Sequence, residues 1–512
     1  MKIILLDNSY ARLRTTDDEE YEWVKDYLSI FDHNAKFTVS YKRGHWDGNV
    51  HYLMDDGRFL LGLLPRLFYD LNSIGIKPKL VDQRNLQPYV ENPIIPKVVG
   101  EFELRDYQQK IAANVLSYKI MGTCPVPFPR GIVYAATNAG KSLMAAAMIK
   151  ALKGIRTLFL CPGNEILNQI HEEFLEFFPK VGLYLPKKDD VQDLTVGLIT
   201  TLAARIKSKE VKQILNSFDC VIIDEAHRAT ASTWAIPIIQ SNALYKIALS
   251  GTALKADMVR NVKLVGMTGI VLGEISNKEL VDKGYSAKPE INMCGYEQRD
   301  IVTYDERAYE LDEVVKELSV QKRALDVAGA INLKLDNKLR EFRRQLYSIS
   351  HEVGITHNKN RNQVINKLVK KHDGESILIV VSKIPHGQLL KEKIKGSTFV
   401  SADKELGHDK KYREQVLKDF KSGKIKVLIA TMIYKEGISI PSIDILIFAI
   451  GEKAPITLLQ FFGRGLRISK TKDTVMVYDF LDESTKKLKQ HTDNRIQIYE
   501  SEGFTVNKIN FL

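Results

Sequence analysis

Cysteine is scarce in this chain: Cys124, Cys161, Cys220 and Cys294 stand far apart, with no CxxC pair. That spacing gives neither a zinc site nor a disulfide framework, and a reducing cytoplasm is the expected home. Long apolar runs are missing as well. No stretch approaches the roughly 18 residues of a membrane span, and the opening MKIILLDNSY meets Asp7 too early for a secretory signal. No internal repeat or low-complexity tract stands out. Net acidity is lacking too: Lys and Arg outnumber Asp and Glu by 74 to 63, a formal charge of +11. This balance leans toward a polyanionic partner. What is present, 44% hydrophobic and 27% charged residues, has the composition of a soluble globular protein. At 512 residues the chain exceeds the roughly 250–300 residues at which single cores stop growing, so two to four domains are expected.

The pattern divides the chain. Residues 17–31 read as a helix opened by acids, 37–41 and 50–54 as alternating strands beside turns at Asp47-Gly48 and Asp56-Gly57, and 63–74 as a second helix. Together they predict a small α+β domain over 1–95, closed by a linker bearing Pro88, Pro93 and Pro96. From there, nearly unbroken apolar runs alternate with helical patterns: GIVYAA, TLFLCP, VGLIT, CVIID and KIALSG. Such runs mark strands covered on both faces of a parallel sheet. The rhythm returns in SILIVVS, STFVS, KVLIAT, DILIFAI and VMVYDF. The expected fold class is therefore α/β, with one parallel-sheet lobe over 96–285, a second over 376–512, and a charged helical insertion over 286–375. The basic segment 338–344 in that insertion reads first as a solvated helix face and second as a nucleic-acid contact.

Chemistry enters at Ala136-Thr137-Asn138-Ala139-Gly140-Lys141-Ser142, between a strand and a helical run. A phosphate needs backbone N–H groups at a helix N-terminus, a lysine reaching its outer oxygens and a hydroxyl on Mg²⁺. Gly140, Lys141 and Ser142 supply these, although Ala135 stands where the full pattern has glycine. Asp224-Glu225-Ala226-His227 ends the run CVIID. At a strand's C-terminal edge Asp224 can hold Mg²⁺ and Glu225 can deprotonate an attacking water. Gln460-Phe461-Phe462-Gly463-Arg464-Gly465-Leu466-Arg467 follows in the second lobe. Arginines on a separate lobe can neutralise charge that develops only in the transition state, so hydrolysis would depend on closure.

In this order the motifs resemble those of superfamily 2 helicases, over nearly all of 104–504. The resemblance implies two tandem RecA-like lobes, ATP and Mg²⁺ as cofactors, and a nucleic-acid track. Arg105 and Gln108 are similar to the adenine-recognising motif, and Thr137, Asn138 and Ala139 join Gly140, Lys141 and Ser142 as nucleotide ligands. Residues 161–169 look like motif Ia and Thr200-Thr201 like motif Ib. Ser250-Gly251-Thr252 resembles motif III, which with His227 couples nucleotide state to the strand. Residues 377–387, with Lys383, resemble motif IV; residues 431–441, with Thr431 and Gly437, resemble motif V, although Ser439 stands where many relatives carry Asp. The implied roles are Glu225 as base, Arg464 and Arg467 as transition-state cations, and Gln460 as the orienting residue. Thr200, Lys383 and Thr431 would touch DNA.

A narrower resemblance lies in residues 37–71, including Tyr41-Lys42-Arg43-Gly44-His45-Trp46-Asp47-Gly48, and in the tail from Asn494-Arg495-Ile496 through Tyr499 to Gly503. Both are similar to UvsW-type phage recombination helicases, which implies branched DNA as partner: forks, Holliday junctions and R-loops. Lys42, Arg43 and His45 beside Trp46 can bind phosphates and stack on a base. Trp46 is equally well read as filling a small core. An RNA helicase, a non-unwinding duplex translocase and a nucleotide-gated clamp remain the alternative functions.

Overall fold

The computed structural model describes residues 1–511 other than 122–124, 187, 252–257, 328–331, 404, 433–442 and 454–473. The chain forms two compact units, Met1–Ser276 and Asn277–Leu512.

The first unit begins with a four-stranded sheet in the order Arg58–Leu60, Tyr10–Arg14, Lys2–Leu5, Lys79–Asp82. Period-two alternation buries Ile3, Leu5, Ala11 and Leu13 on one face. The helices Asp18–Tyr27 and Leu64–Ser73 add Val24, Leu64, Leu67 and Leu71 to that core. Asp17 caps the first by accepting from the N–H groups of Glu19 and Glu20. Two expectations change here. The helix stops at Tyr27 because Ser29–Phe31 pairs antiparallel with Asn49–His51. The predicted strand over 37–41 is instead the 3₁₀ turn Ala35–Phe37 and the helix Val39–Lys42. Thr38 caps that helix, its hydroxyl taking the N–H of Tyr41 at 3.4 Å, and a cap of this kind overrides the period-two reading of FTVSY.

The following eight-stranded sheet runs Lys188–Asp190, Gly182–Leu185, Leu194–Leu198, Thr157–Cys161, Cys220–Ile223, Tyr245–Ser250, Arg130–Ala135, Val271–Ile275. All neighbours are parallel except the first hairpin. The five predicted apolar runs are its centre. The proline-marked segment does not hang free: the Val90 N–H donates to the Tyr245 hydroxyl at 2.9 Å, and buried Arg84 donates to the Pro127 carbonyl at 2.8 Å.

One apolar cluster crosses from the small sheet into this lobe. Gly62 runs so close to the helix Met258–Thr268 that a Cβ there would stand 2.0 Å from the Val265 carbonyl oxygen. Polar ties flank the seam. Buried Arg130 donates to the carbonyls of Asn8 and Met267, and the buried Lys246 ammonium donates to the Ser9 hydroxyl at 2.9 Å.

The second unit carries a seven-stranded parallel sheet, in the order Ser397–Val400, Val427–Ala430, Ile377–Val380, Ile445–Phe448, Thr474–Phe480, Lys288–Gly295, Thr505–Asn510. Lys288–Gly295 lies within the stretch expected to be helical, and residues 296–300 are irregular; Glu306–Val327, Leu333–His351 and Lys359–Lys371 are helical as read. Beside the sheet sits a closed set of buried charges. Arg361 pairs with Asp482 at 2.8 Å, Arg495 with Asp479 at 2.8 Å and with Asp482 at 3.5 Å, and the hydroxyls of Tyr296 and Tyr499 donate to the same carboxylates. Among the described residues no helix is long and apolar enough to cross a membrane.

Candidate nucleotide site

At the C-terminal edge of Arg130–Ala135 the chain turns through 136–140 into the helix Lys141–Ala151. Asn138 (φ 73°) and Gly140 (φ 75°) are both left-handed, the conformation that folds a loop back over a helix N-terminus. The loop is braced from below. Buried Gln108 donates from Nε2 to the Ala139 carbonyl at 2.8 Å, and the Tyr107 hydroxyl donates to the same oxygen at 2.9 Å. Gln108 Oε1 takes the Arg105 N–H at 2.9 Å, and the Arg105 guanidinium reaches the Asn138 carbonyl at 3.5 Å. The structure thus places the upstream motif under the phosphate loop. Tyr107 was missed because its partner is 32 residues away in sequence.

Lys141 Nζ rests on the carbonyl of Ala135 at 3.3 Å. Gly251, from the neighbouring strand end, closes over it: a Cβ there would lie 3.2 Å from that ammonium and 3.8 Å from Thr137 Oγ1. A side chain at Gly251 would therefore crowd the Lys141 ammonium and shift it slightly.

Asp224 and Glu225 follow the strand Cys220–Ile223 two strands away. Asp224 Oδ1 takes the Glu225 N–H at 2.9 Å. By accessible surface Asp224 is half-buried, yet it is densely walled. That enclosure pushes its pKa upward, the Glu225 charge adds to the rise, and Lys141 opposes it. Glu225 has φ 47° and ψ 46°, a left-handed conformation costing about 1–3 kcal/mol for a non-glycine residue. Its Oε2 is buried, accepts no hydrogen bond and lies 3.4 Å from His227 Nδ1. His227 Nδ1 in turn lies 3.3 Å from the buried Ser250 hydroxyl. Glu225, His227 and Ser250 form a continuous polar chain between two strand ends.

Mg²⁺ fits this donor set: two adjacent carboxylates at a strand end and the Ser142 hydroxyl at a helix start. The described residues include no group of three His, Cys, Asp or Glu able to hold a metal alone. A nucleotide-borne Mg²⁺ needs only one or two protein ligands, the rest coming from phosphates and water.

In the same unit, Thr200 is exposed in the first turn of Ile199–Arg205. Arg43 and His45 are exposed beyond the helix Val39–Lys42, and Lys42 ends that helix. Trp46 is half-buried, its indole N–H donated to the Asn49 carbonyl at 2.7 Å. In the second unit Lys383 caps the helix Ile384–Lys393, exposed, and Thr431 is buried after Val427–Ala430. Thr252, Gly437, Gln460, Arg464 and Arg467 lie outside the described residues. The segment entering 454–473 is held by its carbonyls: Arg361 donates to Ala449 at 3.4 Å, the Ser382 hydroxyl to Ile450 at 3.3 Å and Arg495 to Glu452 at 3.3 Å, while His351 Nε2 lies 3.1 Å from the Ile450 oxygen. Arg495, singled out only by resemblance, is a centre of this harness.

Three families match in chain order: "DNA helicase UvsW, N-terminal" over residues 1–74, "Type III restriction enzyme, res subunit" over 101–255 and "Helicase conserved C-terminal domain" over 360–469. The chain is a superfamily 2 helicase. It is 22% identical to the ATP-dependent DNA helicase uvsW of Enterobacteria phage T4, across 98% of both chains. The helicase is also 24% identical to the DNA 3'-5' translocase XPB2 of Sulfurisphaera tokodaii, over 80% of this chain and 88% of that one. In fold it is similar to the ATP-dependent Type ISP restriction-modification enzyme LlaBIII bound to DNA, with a TM-score of 0.53 and 15% identity, over 87% of this chain and 34% of that one. The helicase is ATP-driven and binds nucleic acid, as its family does.

Proposed function

We propose that this helicase is a DNA motor that unwinds or branch-migrates forks, Holliday junctions and R-loops. The observation that carries the motor reading is the site itself: a phosphate loop, a walled carboxylate pair and a polar chain from Glu225 through His227 to Ser250 meet at one sheet edge. A clamp that only held nucleotide would have little use for a strained Glu225 with a buried, unsatisfied oxygen. The DNA reading rests on full-length likeness to a phage DNA helicase and on the net charge of +11.

In this account Lys141 and the N–H groups of 137–142 hold the phosphates, with Arg105 and Gln108 setting the loop. Ser142 and Asp224 hold Mg²⁺, which when bound supplies charge neutralisation of the leaving phosphates. Glu225 orients and deprotonates the attacking water, aided by Gln460. Arg464 and Arg467 complete the site when the lobes close. His227, Ser250, Gly251, Thr252 and Gly437 pass nucleotide state to the strand, gripped through Thr200, Lys383 and Thr431. Residues 1–95, as a DNA-binding region with Lys42, Arg43, His45 and Trp46, would add hold on duplex arms; 96–285 and 376–512 are the RecA-like lobes. A second reading, favoured by the shared apolar seam, makes 1–95 a brace for the first lobe. Strand displacement on forked DNA and forked RNA, with ATP and with a non-hydrolysable analogue, tests the proposal. Unwinding of DNA only, with ATP only, supports it; equal or better unwinding of RNA makes the protein an RNA helicase.

A further inference from the structure

The helical insertion was left with a basic segment and no task. In the second unit its helices Glu306–Val327 and Leu333–His351 face the helix Lys486–Ser501 across a groove of about 820 Å³. That volume lies within the ~300–1,000 Å³ usual for ligand clefts. The floor is Leu346 and half-buried Tyr347. Four cations line it, Arg343 from one side and Lys486, Lys487 and Lys489 from the other, against two carboxylates, Asp312 and Asp493. Asp312 already pairs with Lys316 at 3.0 Å, so the lining stays positive.

Little among the described residues offsets this charge. Lys486 and Arg343 make no carboxylate pair among the described residues, Lys487 donates only to Gln490, and Lys489 lies 3.5 Å from Glu483. The three lysines occupy the opening of a helix with no acid in its first turn, where they oppose the positive end of the backbone dipole. That arrangement costs stability unless an anion sits nearby. Like any tyrosine hydroxyl, that of Tyr347 is a proton donor at neutral pH.

We infer that this groove holds the phosphodiester backbone of a DNA strand, a contact separate from the strand-binding residues Thr200, Lys383 and Thr431 proposed above. The inference rests on the DNA-motor reading for its choice of polyanion. Cations from two elements with a tyrosine between them grip a backbone without reading bases, as a moving protein requires.

The test is equilibrium binding of the full chain to forked DNA without nucleotide, by fluorescence anisotropy across a salt series. The variant carries Arg343→Ala, Lys486→Ala, Lys487→Ala and Lys489→Ala, and a companion carries the three lysines as arginine. Loss of three to four phosphate contacts should make the log K against log salt slope shallower by about 2 to 3. Affinity should fall at least tenfold at low salt and return in the arginine companion, while melting temperature and DNA-free ATP hydrolysis stay as in the parent. An unchanged slope and affinity in a folded variant overturns the proposal. So does loss of binding to inorganic polyphosphate with DNA affinity intact, which would assign the groove to a different anion. Because nucleotide is omitted, a chain that fails to unwind DNA would sink the motor reading and leave this test standing.

Discussion

Two sets of enclosed charges sit beside the two parallel sheets, and they are built on opposite principles. In the second unit every charge is answered: Arg361 and Arg495 are bracketed by Asp479 and Asp482, and two tyrosine hydroxyls complete the lone pairs. In the first unit Asp224 and Glu225 stand side by side with no full ion pair to either among the described residues: Lys141 acts on Asp224 from a distance, His227 Nδ1 lies 3.4 Å from a Glu225 oxygen that accepts no hydrogen bond, and the Glu225 backbone is strained. A compensated cluster is structure, and an uncompensated one is a place prepared for a charged ligand. The contrast separates Arg495, whose charge is spent inside the fold, from Glu225, to which the proposed function gives the catalytic task.

The largest effect expected is on turnover. Arg464→Ala should keep nucleotide and DNA binding and lower the maximal ATPase rate by about 10³–10⁵, the range for a cation acting only in the transition state. Steady-state hydrolysis with separate measurement of nucleotide affinity checks this; an unchanged rate would rule out Arg464 as the transition-state cation. Next comes Arg495→Ala, which leaves the buried Asp479 carboxylate without its cation while Asp482 keeps Arg361, and should cost about 3–5 kcal/mol of stability. Denaturant unfolding measures it, and a loss near zero would mean the cluster is no brace.

The first unit should behave in the opposite sense. Asp224→Asn removes an unanswered charge, so the nucleotide-free protein should gain about 0.5–2 kcal/mol while losing stabilisation by Mg²⁺ and ATP. A melting series with and without the ligands separates the two effects. The smallest effect is on pH. Because the Asp224 carboxyl is held above its ordinary pKa, it carries a proton in the fold where the unfolded chain does not. Nucleotide-free stability from this group therefore falls as pH rises through that window, and Mg²⁺ must displace the proton. The melting-temperature gain from Mg²⁺ and nucleotide should shrink on acidification well above the usual carboxylate range. A gain flat from pH 8 to pH 5 would contradict the enclosure described here.

How legible was this in the residues? The central strands of both sheets were, because strands covered on both faces are written as unbroken apolar runs. Edge strands were not: TVNKIN at Thr505–Asn510 has only Val506 and Ile509 as apolar residues and KDD at Lys188–Asp190 has none, so pairing makes them strands. The phosphate loop and the Asp224-Glu225 pair were readable as motifs. Their setting was not, since the left-handed turn at Glu225 and the convergence of Tyr107 and Gln108 on one carbonyl depend on contacts distant in sequence. The fusion of the small sheet to the first lobe was hidden for the same reason, behind prolines that look like a linker.

The account's central claim is that Glu225 is spent on reaction and not on binding or folding. Glu225→Gln keeps the shape and removes the base, so equilibrium nucleotide affinity and melting temperature should match the parent while DNA-stimulated hydrolysis falls by about 10²–10⁴. Parallel titration calorimetry and phosphate-release assays on that single variant decide it. Full hydrolysis in Glu225→Gln, or a loss of affinity as large as the loss of turnover, would contradict the claim.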